Sequence, residues 1–393
     1  MVAEGHRKIR LRMQQIKLLL LAVLLCVAGV AKAVETTDKV VISELTVEPG
    51  SSDVYSFTVS LQGSDVFYTA YQADLQLPSG LELAYSSSGK LRVSMANPGV
   101  YPYTVEEEEN EEGETVEVKS YTHSLSCSTI ESNTLRVAVI STSNEVFTVT
   151  SGDLFKVYVK ASPYLKPGDV NIGVKNVKLV TADETKYEPA DYVNTSVKAA
   201  ATSTLTLKVS AENQYGTCIL PFAYELPTDG SLEAYACNTY NSDILLLDKV
   251  EKMEAYTPYI LRSTAGFTAT ISGTVDSVLY PEEGIVQNGL LVGTVVTKEL
   301  IEGSYVMQNQ GTGTKFYRVG DTPFVLAAGK CYVELPAGIS TAVFSLGGAA
   351  NIEAVQAPAD NSQQTIYNLS GQRINQVNAG EIYIIDGQKT IAK

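Results

Sequence analysis

The stretch Tyr55-Ser56-Phe57-Thr58-Val59-Ser60-Leu61 settles the fold class. Successive side chains of an extended chain point to opposite faces, so Tyr55, Phe57, Val59 and Leu61 share one face and Ser56, Thr58 and Ser60 the other. The same phase recurs in Leu135, Val137 and Val139, in Phe155, Val157 and Val159 set against Lys156 and Lys160, and in Leu205, Leu207 and Val209. These residues are the β-branched, aromatic and aliphatic types that suit a half-buried pleated surface. No segment of helical length carries a 3.6-residue period beyond the N-terminal leader. The pattern predicts an all-β protein made of two antiparallel β-sandwich domains, with a short β-hairpin tail at the C-terminus.

Turn residues punctuate the strands at the spacing a sandwich needs: Pro78-Ser79-Gly80, Asn97-Pro98-Gly99, Thr228-Asp229-Gly230, Asn288-Gly289 and Asp386-Gly387. The last lies between Tyr383-Ile384-Ile385 and Gln388-Lys389-Thr390-Ile391, and an Asp-Gly pair matches the twist of a two-residue hairpin. Two stretches of small and polar residues interrupt the alternation, one around Ser196 to Ser203 and one from Gly347 to Gln364. They divide the chain into a sandwich over 38–198, a second over 203–346, a linker over 347–364 and a tail over 365–393.

Residues 1–33 read as an export signal. A basic segment (Arg7, Lys8, Arg10, Arg12, Lys17) precedes an apolar run from Leu18 to Val30, and Ala31-Lys32-Ala33 has the small residues of a cleavage site. Cys26 lies where a lipoprotein signal would place its acylated cysteine, but Leu25 before it is not the small residue such cleavage wants. Cleavage after Ala33 is the expectation, and lipidation at Cys26 the alternative. No later stretch is apolar and long enough for a transmembrane helix. The protein is therefore expected outside the cell or at its surface, with the periplasm as the other destination.

The chain carries a net charge of −15, and the leader holds six of its 29 basic residues but one of its 44 acidic ones. The remainder of the chain is more acidic still, which opposes binding to nucleic acid or anionic lipid. Cys127, Cys218, Cys237 and Cys331 are too few and too widely spaced for a disulfide framework, and no C-x-x-C pair suggests zinc. Cys218 and Cys237 form the expected disulfide, because both lie near the start of the second domain, and buried free thiols are the alternative.

His123 is the one histidine beyond the leader, so no two-histidine metal site can form. In a strand, Cys127 would share its face about 13 Å away, too far for a Cys-His dyad. No G-x-S-x-G elbow, H-E-x-x-H pair, Walker loop or dinucleotide-binding turn occurs. The protein is thus expected not to be an enzyme and to need no cofactor. A carbohydrate hydrolase on a sandwich is the rival reading, since it needs two carboxylates from distant positions.

Glu106, Glu107, Glu108, Glu109, Glu111, Glu112 and Glu114 form a dense acidic run. Charges so close repel and cannot be buried cheaply, which predicts a solvated hairpin tip, with Ca²⁺ or a basic partner as the alternative occupant. The chain has 23 tyrosines and no tryptophan. Tyr101, Tyr103 and Tyr121, next to the acidic run, are candidate partner contacts, because tyrosine offers area and a hydroxyl together. Half-buried strand tyrosines are the alternative.

Thr69-Ala70-Tyr71-Gln72-Ala73-Asp74-Leu75-Gln76-Leu77-Pro78-Ser79-Gly80-Leu81 resembles an early strand of cohesin-like modules. Thr134-Leu135-Arg136-Val137 and Thr150-Ser151-Gly152-Asp153-Leu154-Phe155 are similar to later strands of the same module. The resemblance covers about residues 38 to 190 and implies a non-catalytic sandwich that binds a protein partner of the dockerin kind or a glycan. Ala255-Tyr256-Thr257-Pro258-Tyr259-Ile260-Leu261 and Ala327-Ala328-Gly329-Lys330-Cys331-Tyr332 resemble a β-rich module of secreted Bacteroidetes proteins. The tail Ile366-Tyr367-Asn368-Leu369-Ser370-Gly371-Gln372-Arg373 is similar to the C-terminal domains of that group, which include type IX sorting signals. A secreted or outer-membrane-displayed binding protein is the resulting expectation, and a structural surface or fimbrial subunit is a further rival.

Overall fold

The computed structural model describes residues 34–348, apart from 64, 97–98, 110–114, 132, 142 and 337, together with strand residues 366–367, 373–374, 382–385 and 388–391. Residues 1–33, with the expected leader, Cys26 and the expected cleavage site, and the part of the expected linker from 349 to 364 lie outside the described residues. The chain divides into two compact units, Met1–Ala200 and Ala201–Lys393. Strands dominate both. The described residues contain no α-helix and one 3-10 turn, Ser277–Leu279, and no helix is long and apolar enough to cross a membrane.

The strands of the first unit are β1 (Lys39–Ile42), β2 (Leu45–Val47), β3 (Tyr55–Gln62), β4 (Ala70–Gln76), β5 (Leu81–Leu83), β6 (Val93–Met95), β7 (Tyr103–Glu109), β8 (Thr115–Tyr121), β9 (His123–Glu131), β10 (Thr134–Ser141), β11 (Gly152–Ala161), β12 (Gly168–Val180), β13 (Lys186–Tyr187) and β14 (Tyr192–Ala199). One sheet runs β1-β3-β11-β5, with β6 also on β11. The other runs β2-β14-β12-β4-β10-β9, with β13 on β12. All pairs are antiparallel except β2 with β14.

The alternation read from Tyr55–Leu61 sets the layering. Phe57, Val59 and Leu61 are buried while Tyr55 is half-buried. They meet Tyr71, Ala73 and Leu75 of β4 and Leu135, Val137 and Val139 of β10 in a single core. Each fully buried Val, Leu or Phe among them contributes about 1.5–3 kcal/mol. The register is continuous where the sequence alternates without a break: Tyr71, Ala73 and Leu75 stand opposite Val139, Val137 and Leu135. The expected Pro78-Ser79-Gly80 turn forms, with Leu81 N–H donating to the Pro78 carbonyl at 3.1 Å. Gly80 is required there, since its φ is +86° and a Cβ would sit 2.7 Å from Leu165 Cα.

In the second unit a ten-stranded path starts at Tyr215–Ile219, passes through Pro258–Arg262 and Glu233–Asn241 to Ile244–Val250, and continues through Val343–Gly348 and Thr314–Arg318 to Ile285–Asn288. Ile244–Val250 and Val343–Gly348 pair in parallel, and this ladder takes in Gly347 and Gly348, which the sequence places in the linker. Two stretches of the path approach face to face at Gly293, where a Cβ would lie 2.9 Å from Ile219 Cδ1. A separate pair, Thr202–Val209 with Phe267–Thr274, carries the alternation of Leu205, Leu207 and Val209. At the C-terminus Ile382–Ile385 pairs with Gln388–Ile391 as the Asp-Gly turn predicts, and Ile366–Tyr367 and Arg373–Ile374 widen this hairpin to four strands. A lone two-stranded hairpin is marginal in water, and the added strands satisfy one of its edges.

The expected Cys218–Cys237 disulfide is corrected. Cys127, Cys218, Cys237 and Cys331 are all free thiols. Cys218 stands opposite Tyr259 on Pro258–Arg262, and the Cys237 strand pairs with the other edge of that same strand. Pro258–Arg262 thus lies between their two strands, which are two strand spacings, about 9.5 Å, apart, and a disulfide cannot bridge Cα atoms more than about 7 Å apart.

Candidate functional site

The outer face of the first unit's larger sheet carries a polar cluster that strand alternation alone puts in place. Because Ala73 and Leu75 point into the core, Asp74 between them points out, yet it is only 2% exposed. Arg136 is its cross-strand partner on β10 and Lys175 its partner on β12. Arg136 forms a bidentate pair, with Nε 2.7 Å from Oδ1 and Nη2 2.7 Å from Oδ2. A third hydrogen bond comes from Asn176 Nδ2 to Oδ2 at 2.8 Å.

Asn176 reaches Asp74 because β12 bulges between Lys175 and Lys178. A bulge inserts an extra residue and re-aims its side chain. Asn176 has a φ of +50°, which asparagine tolerates better than most residues. Its backbone N–H donates to Asp191 Oδ1 at 2.9 Å, which holds the bulge in place. Burial works against the Asp74 carboxylate, but the hydrogen bonds from Arg136 and Asn176 and the nearby Lys178 outweigh it and hold its pKa below the ordinary carboxylate value.

Short side chains flank this cluster toward β9, and Gln72, Gln76, Lys175 and Lys178 flank it along β4 and β12. Ser126 and Ser128 of β9 and Ala138 of β10 stand in register with it, and Gly173 of β12 lies opposite Gln76, whose Oε1 accepts from Lys175 Nζ at 2.7 Å. The result is a sheet face with a fixed ion pair at its centre and short side chains toward β9, and no described cavity is lined by Asp74, Arg136 or Asn176, a form that suits a protein partner better than a small molecule in a cleft.

The residues singled out in the sequence lie elsewhere. Glu106 and Glu107 are exposed on β7, which pairs with β8 from Tyr103–Tyr121 to Glu109–Thr115 as a separate two-stranded ribbon. Glu108 and Glu109 continue β7, while Glu111, Glu112 and Glu114 lie outside the described residues. Among the described residues no three His, Cys, Asp or Glu side chains converge as a metal would require. Tyr103 is exposed, its ring 5.6 Å from that of half-buried Tyr121, and Lys119 Nζ lies 4.6 Å above it.

Tyr101 is corrected as a partner contact, because it is 2% exposed. Its ring packs 5.5 Å from Phe147 and 5.2 Å from His123, and its hydroxyl donates to that of Tyr71 at 3.2 Å. His123 closes this aromatic box at the root of the ribbon. Its Nδ1 lies 2.9 Å from Thr122 Oγ1, and its Nε2 is buried without a hydrogen-bond partner. Burial pushes the imidazole down to about 4, against the pull of the Thr69 and Glu145 carbonyls. Cys127 lies four residues along the same strand, and nothing joins the two into a dyad.

No family model matches this chain, and no curated protein matches it. Among solved structures it is similar to a non-cellulosomal cohesin from the hyperthermophilic archaeon Archaeoglobus fulgidus, at 12% identity over 42% of this chain and 92% of that one, with a TM-score of 0.25. It is also similar to a chain of a type I cohesin–dockerin complex from Clostridium thermocellum, at 14% identity over 42% and 99%, with a TM-score of 0.28. The seventh ScaB type I cohesin from Pseudobacteroides cellulosolvens gives 14%, 43% and 96%, with a TM-score of 0.28. The sandwich of the first unit stands on its own strand pairing and core.

Proposed function

We propose that this chain is an exported, non-catalytic binding protein whose first unit contacts a protein partner through the outer face of the β2-β14-β12-β4-β10-β9 sheet. The observation that carries the reading is the outward-facing Asp74, shielded from water and locked by Arg136 and Asn176, with Ser126, Ser128 and Ala138 on one side of it and Lys175, Lys178, Gln72 and Gln76 on the other. Groups fixed before contact lose little freedom on binding, so a rigid polar centre favours specific recognition. Reading residues 1–33 as an export signal supports a partner outside the cytoplasm. The cohesin-like phrase in Thr69–Leu81 makes dockerin modules the first class to test.

The test is surface plasmon resonance with the full chain immobilised and dockerin modules as analytes. Ala138→Arg and Ser126→Arg raise bulky side chains on the face without touching Asp74. Binding that either substitution abolishes supports the reading. Binding that both leave intact assigns the contact to another surface.

A further inference from the structure

Within the second unit an open groove of about 520 Å³ lies among Thr202–Val209, Tyr215–Ile219, Tyr305–Asn309 and Phe324–Leu326. That volume falls in the range of about 300–1,000 Å³ typical of small-ligand sites. One part of its lining is apolar, supplied by Tyr215, Met307 and Phe324. Its charged residues are Lys208 and Lys330, and no aspartate or glutamate lines it. In a chain with 44 acidic residues against 29 basic ones, this is a local reversal of sign.

Hydrogen bonding at the rim adds to this bias. Gly311 N–H donates to Asn309 Oδ1 at 3.0 Å, which makes Asn309 Nδ2 the donor to Asn213 Oδ1 at 3.1 Å. Thr314 Oγ1 donates to the Asn213 carbonyl at 2.5 Å. Internal bonds therefore engage both oxygens of Asn213 and leave its Nδ2 group free. Neither that amide nor the ammonium groups of Lys208 and Lys330 has an acceptor among the described residues. A site left with spare N–H donors and positive charge selects ligands rich in oxygen acceptors and negative charge.

We propose that this groove binds an acidic carbohydrate, a uronic-acid-bearing oligosaccharide. Its carboxylates would meet Lys208 and Lys330, its hydroxyl and ring oxygens would accept from Asn213, and its apolar sugar faces would lie against Tyr215 and Phe324. The proposal is independent of the partner face of the first unit.

Isothermal titration of the full chain with oligogalacturonate, with its neutral methyl ester and with oligoglutamate decides it. The expected result is binding of oligogalacturonate that weakens at least about tenfold on esterification and falls as salt is added. The double substitution Lys208→Gln with Lys330→Gln reduces it by a similar factor. Equal affinity for the ester, binding of oligoglutamate in place of the sugar, full binding by the double variant, or no heat with oligogalacturonate at millimolar concentration overturns the proposal. The ester comparison uses the unsubstituted protein and does not depend on how a variant folds.

Discussion

Acidification should loosen the first unit through one residue, His123. The ring is 3% exposed, packed between Tyr101 and Phe147, and its pKa falls from 6.5 to about 4 because burial disfavours the cation. In the unfolded chain the same imidazole takes a proton near 6.5, so between pH 6.5 and 4 the unfolded state binds more protons than the folded state. Stability is thus complete above pH 6.5, declines steadily as pH falls to about 4, and levels off below it as far as this group is concerned. At about 1.4 kcal/mol for each pH unit the total is roughly 3 kcal/mol, a sizeable share of a domain's usual margin. Asp74 and Glu233, whose pKa values are depressed by their partners, lose their contributions only below about pH 5, so the upper part of this window belongs to the histidine. His123→Phe keeps an aromatic ring in the box and removes the titration. The assay is hydrogen exchange of peptides spanning His123–Ser141, corrected for the intrinsic effect of pH, at several values between 4 and 7. The parent protein should lose protection toward pH 4 and the variant should not. Parallel profiles would refute the reasoning.

The same geometry carries three further expectations. Asp74→Ala alone should cost about 2–3 kcal/mol by leaving Arg136 without its bidentate partner, whereas the double change to Asp74→Leu and Arg136→Leu should cost much less, as measured by a urea-unfolding double-mutant cycle. At the bulge, Asn176→Ala should destabilise by about 1–2 kcal/mol more than Asn176→Gly, since alanine bears the strain of positive φ that glycine escapes, and thermal unfolding of the two variants checks it. Half-buried Cys127 should react with a thiol reagent before Cys218, Cys237 and Cys331, and peptide mapping without reductant should yield Cys218 and Cys237 unlinked, with burial pushing both thiols up to about 12.

The strands were legible because the apolar period of two is unbroken where the register is unbroken, as in Tyr71–Leu75 against Leu135–Val139. The terminal hairpin was legible because Asp386-Gly387 admits few other structures. Long-range placement was not. Which strand separates Cys218 from Cys237 depends on pairing between distant segments, and proximity in sequence pointed the wrong way. Tyr101 shows the same limit, because tyrosine suits both a partner contact and a buried aromatic box, and only Phe147 and His123 distinguish them. The polar cluster had a partial signature. Asp74 is the one charged residue of its strand, in an outward phase it shares with Gln72 and Gln76, and Arg136 sits likewise between Leu135 and Val137. Nothing in the sequence announced the bulge that turns Asn176 toward them, since it is set by pairing with β4.

A photo-crosslinking residue placed at position 138, in full-length protein expressed in its native cells, tests the partner face most directly. A single discrete protein adduct at Ala138, absent when the probe replaces exposed Val54, is the result expected. No adduct at 138, or the same adducts at 138 and 54, would contradict the assignment of that sheet as the surface of recognition.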